Sequence, residues 1–121
     1  MSMPETLLAF PQSIVFYEAV CARIRADFPG AARKVSRTQT AFVRDVQFAW
    51  LSAPRRKADH GCVVLSFSLP EPVTSPRIFN RSQPYPGRFM HHMLIAGPEA
   101  LDAECLGWLS RAWAFAQRKS Y

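Results

Sequence analysis

The stretch CVVLSFSL, residues 62–69, decides the fold class of this chain. Every second position carries a large apolar side chain, namely Val63, Leu65, Phe67 and Leu69. The side chains of Ser66 and Ser68 would point the other way, because successive side chains of a strand lie on opposite faces. The stretch therefore predicts a β-strand with one buried and one polar face.

Similar patterns on both sides of this strand predict a sheet. Four further segments are candidate strands: SRTQTAFV (36–43), VQFAWLS (46–52), RIFNRS (77–82) and RFMHHMLI (88–95). In the second of these, Val46, Phe48 and Trp50 would share one face. The segments between the last four strands are rich in turn residues and predict loops: APRRKADHG (53–61), PEPVTSP (70–76) and QPYPG (83–87).

Two amphipathic helices flank the predicted strands. In residues 12–28, apolar side chains recur every three or four positions: Ile14, Tyr17, Val20, Cys21, Ile24 and Phe28. The second helix begins at Pro98, and its stripe is Leu101, Cys105, Trp108, Leu109, Ala112, Trp113 and Ala116. The simplest explanation for Gly107 inside this helix is close packing on the sheet.

The order helix, five strands, helix predicts an α+β fold. We expect a meander of about five antiparallel strands, with the N-terminal and C-terminal helices packed on one face. The length of 121 residues predicts a single domain, 1–121, large enough for a hydrophobic core.

Composition narrows the classes of protein. Nearly half of the residues are apolar, which excludes a disordered chain, and no apolar run reaches the ~20 residues that span a bilayer. No secretory signal pattern is present at the N-terminus, and the three cysteines form no C-x-x-C pair, so a reducing cytoplasm is expected. The net charge of +6 rests on twelve arginines and three lysines, which favours an anionic ligand or nucleic acid.

The adjacent histidines of RFMHHMLI cannot serve one site. On a strand, His91 and His92 point to opposite faces, so they cannot both bind one metal ion or act on one reacting atom. We therefore predict no metal site and no cofactor. The alternative for either histidine is a buried imidazole that is hydrogen-bonded to the backbone or a hydroxyl group.

Polar residues on the strands define a candidate ligand site. Arg37 and Gln39 would share a face of the first strand, and Lys34 lies just before it. A sheet face not covered by helices could gather such groups into a depression that suits phosphate, carboxylate or a nucleotide. The candidate ligand-binding residues are Lys34, Arg37, Gln39, Arg77, Arg88, His91 and His92. The alternative is that they are solvated charges on an open sheet face, and the run of residues 55–57 is interpreted as a solvated hairpin tip.

Several motifs together resemble a known family. Besides Lys34, they are QTAF (39–42), FAW (48–50), LSFSLP (65–70), SPRI (75–78), GRFMHHM (87–93) and LDAECLGWLSRAW (101–113). Over residues 11–117 the chain resembles the small bacterial family called domain of unknown function 5655. The resemblance implies a stand-alone α+β domain in a bacterial cytoplasm. It also implies that Lys34, Gln39, Arg77, Arg88, His91 and His92 belong to the family pattern, and it transfers no role to them.

The hypothesis for function is a binding module for a small anionic ligand or nucleotide. Alternatives are a nucleic-acid-binding protein, with aromatic residues among the arginines of the last strands, and a protein-interaction domain, of which a homodimer is one form. An enzyme with one histidine as general acid or base is a further alternative. The sequence has no G-x-S-x-G motif and no glycine-rich phosphate loop, so no catalytic residue is assigned. No membrane partner is expected.

Overall fold

The computed structural model describes residues 3–55 and 61–117. The helices are α1 (Pro11–Asp27) and α2 (Ala103–Phe115), and short 3-10 helices, Glu5–Ala9 and Pro98–Ala100, precede them. The strands are β1 (Ala32–Val35), β2 (Gln39–Val43), β3 (Gln47–Ser52), β4 (Val63–Leu69), β5 (Ile78–Tyr85) and β6 (Arg88–Ile95). The α+β class, the antiparallel sheet and the two terminal helices are confirmed.

The sheet differs from the predicted meander in two ways. Within the described residues it has six strands in the order β1-β2-β3-β4-β6-β5, and every neighbouring pair is antiparallel. The additional strand is β1, which is short and exposed and therefore lacks the apolar alternation that marks a strand. Strand β6 lies between β4 and β5, and β5 is at the edge of the sheet. The side chains of β6 at 91, 93 and 95 are buried, whereas those of β5 are mostly exposed and suit an edge.

Both helices pack on the same face of the sheet. Phe28, which follows α1, lies with its ring centroid 5.8 Å from that of Phe48 on β3. Trp113 of α2 contacts the same two rings, at 5.5 Å from Phe28 and 5.2 Å from Phe48. The inward side chains of β4, at positions 63, 65, 67 and 69, belong to this core. The helices do not cover the opposite face of the sheet.

A β-bulge overturns the predicted alternation of β3. Phe42 pairs with Ala49 and Val43 with Gln47, so Phe48 is an extra residue without a partner on β2. Phe48 packs in the helix-side core, whereas Trp50 pairs with Ser66 on the other face. The prediction that Phe48 and Trp50 share a face is therefore wrong, because a bulge shifts the alternation by one residue.

The predicted loop at residues 83–87 is mostly strand. β5 continues to Tyr85, and only Pro86 and Gly87 form the turn into β6. Gly87 has a φ of +78°, which suits a residue without a Cβ, and Pro86 pre-sets the position before it. Pro84 is tolerated inside β5 because this strand is at the edge of the sheet.

Helix α2 begins later than its sequence pattern suggests. Asp102 is the N-cap, and its carboxylate accepts a hydrogen bond of 3.0 Å from the backbone N–H of Cys105. Gly107 lies on the exposed side of the helix, and a Cβ at this position would meet no atom within 4 Å. The explanation of Gly107 by close packing on the sheet is therefore wrong.

Candidate ligand-binding site

The sheet face opposite the helices contains a depression of about 570 Å³. It extends across the sheet from β2 to β5, and its described lining residues are Gln39, Ser52, Ala53, Arg55, Val64, Ser66, Phe79, Asn80, His92 and Leu94. Its volume is within the range of ~300–1,000 Å³ that is typical of small-molecule sites. We refer to it as the open-face depression.

Strand register sets the floor of the open-face depression. Ser66 on β4 pairs with His92 on β6, which pairs in turn with Asn80 on β5. Two residues further along these strands, Val64 pairs with Leu94 on the same face. Directly opposed residues of a sheet share a face, so a polar row lies beside an apolar row. A ligand on this floor would contact both rows at once.

His92 is held in place by its neighbour on β4. Its Nδ1 lies 2.7 Å from the hydroxyl oxygen of Ser66. Burial is the main cause that lowers the pKa of His92, and the nearby charge of Arg55 lowers it further. Both effects favour the neutral imidazole over the charged form. Since Nδ1 is used by Ser66, Nε2 is the ring nitrogen that remains for a ligand.

A second bulge shapes the β5 wall of the depression. Ile78 pairs with Met93 and Asn80 with His92, so Phe79 is an extra residue between these two pairs. Regular alternation would place Phe79 and Asn80 on opposite faces, yet both line the depression. The Phe79 side chain is 57% exposed, and its ring centroid lies 6.3 Å from that of His92. The bulge therefore supplies an aromatic surface beside the imidazole.

The described lining residues give the depression a positive charge. Arg55 is the cation among the described lining residues, and none of these residues is an aspartate or glutamate. In the part of the chain that the structure describes, Arg55 forms no ion pair. The side chains of Gln39, Ser52 and Asn80 add neutral hydrogen-bonding groups. Such a lining favours an anion that also carries hydrogen-bonding groups.

His91 lies on the other face of the same strand and is sealed in the core. It is 0% exposed, and its ring is stacked on Phe67 with a centroid distance of 5.1 Å. Its Nε2 accepts a hydrogen bond of 2.9 Å from the backbone N–H of Val73, so the neutral ring carries its proton on Nδ1. Burial lowers the pKa of His91. The backbone carbonyls of Phe67 and Phe89 partly oppose this shift, although neither forms a hydrogen bond with Nδ1.

Two candidates near the start of the sheet lie apart from the depression. Lys34 is exposed on the edge strand β1 and pairs with Ala41. Arg37 is in the turn between β1 and β2, and its Nε lies 3.6 Å from a carboxylate oxygen of Glu5. The segment 36–38 is a turn because the Ser36 hydroxyl donates a 2.9 Å hydrogen bond to the carbonyl of Gln39. Of this group, Gln39 lines the depression.

Arg77 connects the sheet to helix α2. Its guanidinium donates to both carboxylate oxygens of Asp102 (2.8 and 3.0 Å), to Glu104 (3.1 Å) and to the carbonyl of Ala100 (2.6 Å). These bonds raise the pKa of Arg77, and the same contact lowers the pKa of Asp102. The geometry is that of a structural brace at the N-terminus of the helix.

Arg88 is on the open face but outside the lining of the depression. Its Nη1 donates a hydrogen bond of 2.7 Å to the hydroxyl of Tyr85, the residue opposite it across the turn. Its Nη2 lies 3.4 Å from the carbonyl of Gln47. The structure therefore brings Gln39 and His92 together and places the other five candidates elsewhere.

Sequence reasoning missed several residues of the site. Ser66 and Asn80 are polar residues of strands that pair with β6, so the register, which a single sequence does not show, was the missing signal. Phe79 reaches the site through a bulge. Arg55 belongs to the run interpreted as a solvated tip, of which residues 56 and 57 lie outside the described part of the chain.

The described residues contain neither a metal-binding cluster nor a membrane-spanning helix. Within residues 3–55 and 61–117, no three histidine, cysteine, aspartate or glutamate side chains are grouped so that they could hold a metal ion. His60 lies outside these residues. In the same part of the chain, no helix combines the length and apolar character needed to cross a bilayer.

Most of the chain matches the model of one protein family. The model of the family described as domain of unknown function (DUF5655) matches residues 9–116. The chain belongs to this family. The match includes both helices and all six strands, so the depression is part of the family domain. No curated protein matches the chain, and no solved structure matches it either.

Proposed function

We propose that this DUF5655 domain binds a small organic anion in the open-face depression. The observation that carries the proposal is that one depression of about 570 Å³ brings together Arg55, the imidazole of His92 and two amide side chains, with no carboxylate among its described lining residues. Arg55 would attract the anionic group. The Nε2 of His92 would donate to the ligand when Ser66 donates to Nδ1.

Binding is favoured over catalysis by the surroundings of the Ser66–His92 pair. A serine and a histidine 2.7 Å apart could act as nucleophile and base. A hydrolase would also orient the imidazole with a further group and offer backbone N–H donors to an oxyanion. Ser66 and His92 lie in the middle of paired strands, whose backbone N–H groups are used in the sheet. A rigid sheet of this kind suits recognition better than acyl transfer.

The first test is ligand-induced stabilisation of the purified protein. The probes are inorganic phosphate, citrate, benzoate and nucleoside monophosphates, each at low and moderate salt. A probe at a hundred times its Kd stabilises by about 2.7 kcal/mol, which raises the Tm by several degrees. Arg55→Ala and His92→Ala should lose this shift. Arg37→Ala is the matched control, because its side chain is 79% exposed and outside the depression.

The outcome of this screen decides the proposal in either direction. A shift from at least one organic anion that is lost in Arg55→Ala and kept in Arg37→Ala supports it. An unchanged Tm with every probe contradicts it. Equal losses in Arg55→Ala and Arg37→Ala would also contradict it, because they would show non-specific charge attraction.

A second candidate function is binding of single-stranded nucleic acid. The observation that favours it is a pair of exposed aromatic residues on β5, Phe79 and Tyr85, at 57% and 54% exposure, with Arg88 beside the latter. Fluorescence anisotropy with labelled oligonucleotides tests this function over a range of salt concentrations. Affinity should fall steeply with salt and should be lower in Tyr85→Ala. Affinity that does not change with salt would exclude it.

We propose a bacterial cytoplasm as the place of action. The support is the cysteine usage: Cys21, Cys62 and Cys105 are far apart in the sequence and form no C-x-x-C pair, and Cys21 and Cys105 are buried thiols. Burial raises the pKa of the Cys105 thiol to about 11, so this cysteine is not a reactive thiolate. Fluorescence localisation in a bacterial host, with a fusion at either end, tests the compartment.

A further inference from the structure

The apolar half of the open-face depression needs an explanation beyond a bound anion. Val64 and Leu94 form a paired row on its floor, and Phe79 stands at its β5 edge with 57% of the side chain exposed. An inorganic anion at Arg55 would leave these surfaces uncovered in water. A ligand that carries a flat apolar ring as well as a charge would cover them.

The bulge in β5 is the feature that points to a ring. In a regular strand Phe79 and Asn80 would lie on opposite faces, so one of them would point away from the depression. The bulge presents an aromatic face and an amide side by side. Bulges next to binding sites often re-aim a side chain in this way. A ring stacked on Phe79 would therefore bring its edge to the Asn80 amide.

The amide beside Phe79 indicates which ring fits. Asn80 on β5 lies beside Phe79. Its Oδ1 accepts a 2.8 Å hydrogen bond from the backbone N–H of Arg81, so its N–H₂ group is the donor that remains for a ligand, whereas Gln39 on β2 lies at the far end of the depression. Amide side chains of this kind pair with the mixed donor and acceptor edges of nucleobases. The ring of benzoate has no such edge. The pattern of an aromatic face with the neighbouring Asn80 amide favours a nucleobase over an aromatic acid.

The dimensions of the depression place the two ends of such a ligand. Arg55 follows β3, which is separated from β5 by β4 and β6. Adjacent strands are ~4.8 Å apart, so about 14 Å of sheet lie between the β3 and β5 backbones. The Arg55 and Phe79 side chains line the space between them. A base on Phe79 and a phosphate near Arg55 would therefore extend across the polar row of Ser66 and His92.

We infer that the ligand of this depression is a nucleoside monophosphate, with its base stacked on Phe79 and its phosphate held by Arg55. The inference rests on the proposed anion site and names the ligand class for it. The base supplies apolar contact with Phe79 and Leu94 and hydrogen bonds to Asn80. The sugar lies over the row of Ser66 and His92.

Isothermal titration calorimetry with matched ligands tests this inference. The titrants are the four common ribonucleoside monophosphates (those of adenine, guanine, cytosine and uracil), ribose 5-phosphate, which has the phosphate without the base, and citrate. We expect at least one nucleotide to bind about tenfold or more tightly than ribose 5-phosphate, as expected for one base–aromatic stack. Phe79→Ala should remove this difference without weakening ribose 5-phosphate. Arg55→Ala should weaken the nucleotide and ribose 5-phosphate alike.

Tyr85→Ala is the matched control for Phe79→Ala. Tyr85 is an exposed aromatic residue on the same strand but is outside the depression, so its removal should leave nucleotide affinity unchanged. Equal losses in the two variants would overturn the stacking on Phe79. Both side chains are more than half exposed, so both variants should fold, and circular dichroism verifies this.

Failure of this inference is distinguishable from failure of the proposed function. If ribose 5-phosphate or citrate binds as tightly as every nucleotide, the nucleotide inference falls and the anion site stands. If the nucleotides, ribose 5-phosphate and citrate all fail to bind, and the other anions give no stabilisation, both fall. If a nucleotide binds with the expected preference but Phe79→Ala retains it, the assignment of the base to Phe79 is wrong.

Discussion

His91 and His92 are neighbours in the chain, yet they occupy opposite environments. His91 is 0% exposed, is stacked on Phe67 and accepts a hydrogen bond from the backbone of Val73. His92 lines the open-face depression and is paired with Ser66. The same side chain is thus part of the core on one face and available to a ligand on the other. Strand alternation alone separates the two roles.

This difference shows that residue type does not identify a functional histidine. Burial lowers the pKa of both imidazoles, so a shifted pKa does not distinguish them. Their partners do distinguish them. Both ring nitrogens of His91 are buried in the protein interior, whereas Nε2 of His92 remains for a ligand. Variants on the two faces should therefore affect stability on one side and binding on the other.

The largest expected effect is on the helix-side face of β4. Phe67 is fully buried between His91 and Trp108, and Phe67→Ala should lower the free energy of unfolding by about 3–5 kcal/mol. Val64 lies on the open face of the same strand and is half-buried, so Val64→Ala should cost much less. Urea unfolding followed by circular dichroism measures both. Equal losses would contradict the assignment of the core to one face.

The histidine pair gives the next largest contrast. His91→Ala leaves a cavity and an unpaired backbone N–H at Val73, and it should cost about 2–4 kcal/mol of stability. His92→Ala removes one partly buried hydrogen bond to Ser66 and should cost about 1 kcal/mol or less. Urea midpoints measure the stabilities, and calorimetry measures ligand binding. Binding should be lost in the second variant, and a stable His91→Ala that loses binding would reverse the roles.

The pH dependence of stability should distinguish His91 in a different way. Burial lowers its pKa in the folded protein below the ordinary value of 6.5, so the unfolded chain takes up a proton first as pH falls. The stability that depends on the neutral ring is therefore complete above about pH 6.5 and decreases from there towards the lower folded pKa. Urea midpoints between pH 7.5 and 5 should fall in the wild type.

His91→Ala is the comparison for this pH series. It should be less stable at pH 7.5 but should show a shallower decrease, because the titrating group is absent. His92 shifts in the same direction and accounts for the residual slope. Carboxylates such as Asp102, whose pKa is lowered, lose their contribution at more acidic pH. Parallel curves for wild type and variant would show that His91 does not titrate in this window.

The sequence predicts one part of the fold well and another part poorly. Periodicity of two and of 3.6 residues identifies β4, β6 and both helices, because these elements bury one continuous side against the core. β1 has no buried side and gives no periodic signal. The order of β5 and β6 in the sheet depends on which of them has a partner strand on both edges. This is a property of long-range pairing.

The candidate site shows the same limit. Gln39 and His92 could be predicted as polar residues on strands, and both line the depression. Asn80 and Ser66 are brought to His92 by register, and Phe79 by a bulge. Neither property is visible in one sequence, because both depend on pairs of strands. Arginine often binds anions, but the hydrogen bonds of Arg77 to Asp102 and to the carbonyl of Ala100, just before α2, make it a structural brace.

Arg77→Ala should have a smaller effect than the core variants. The side chain connects the segment before β5 to Asp102, Glu104 and the carbonyl of Ala100, and we expect its loss to cost about 1 kcal/mol. Arg77→Lys keeps the charge without the planar donor set and should recover part of this loss. Thermal unfolding measures both variants. A ligand affinity equal to that of wild type would confirm that Arg77 belongs to the helix-side scaffold.

Gly107→Ala should have the smallest effect, and in the opposite direction. Gly107 is on the outward side of α2, where a Cβ would meet no atom within 4 Å, so neither the sheet nor a neighbouring side chain requires glycine. Alanine restricts the unfolded chain and favours the helix, so stability should rise by about 0.5–1 kcal/mol. At Gly30, by comparison, an added Cβ would make an ordinary van der Waals contact with the Trp113 ring, 3.5 Å away. A loss of stability in Gly107→Ala would contradict the placement of this residue on the exposed side of the helix.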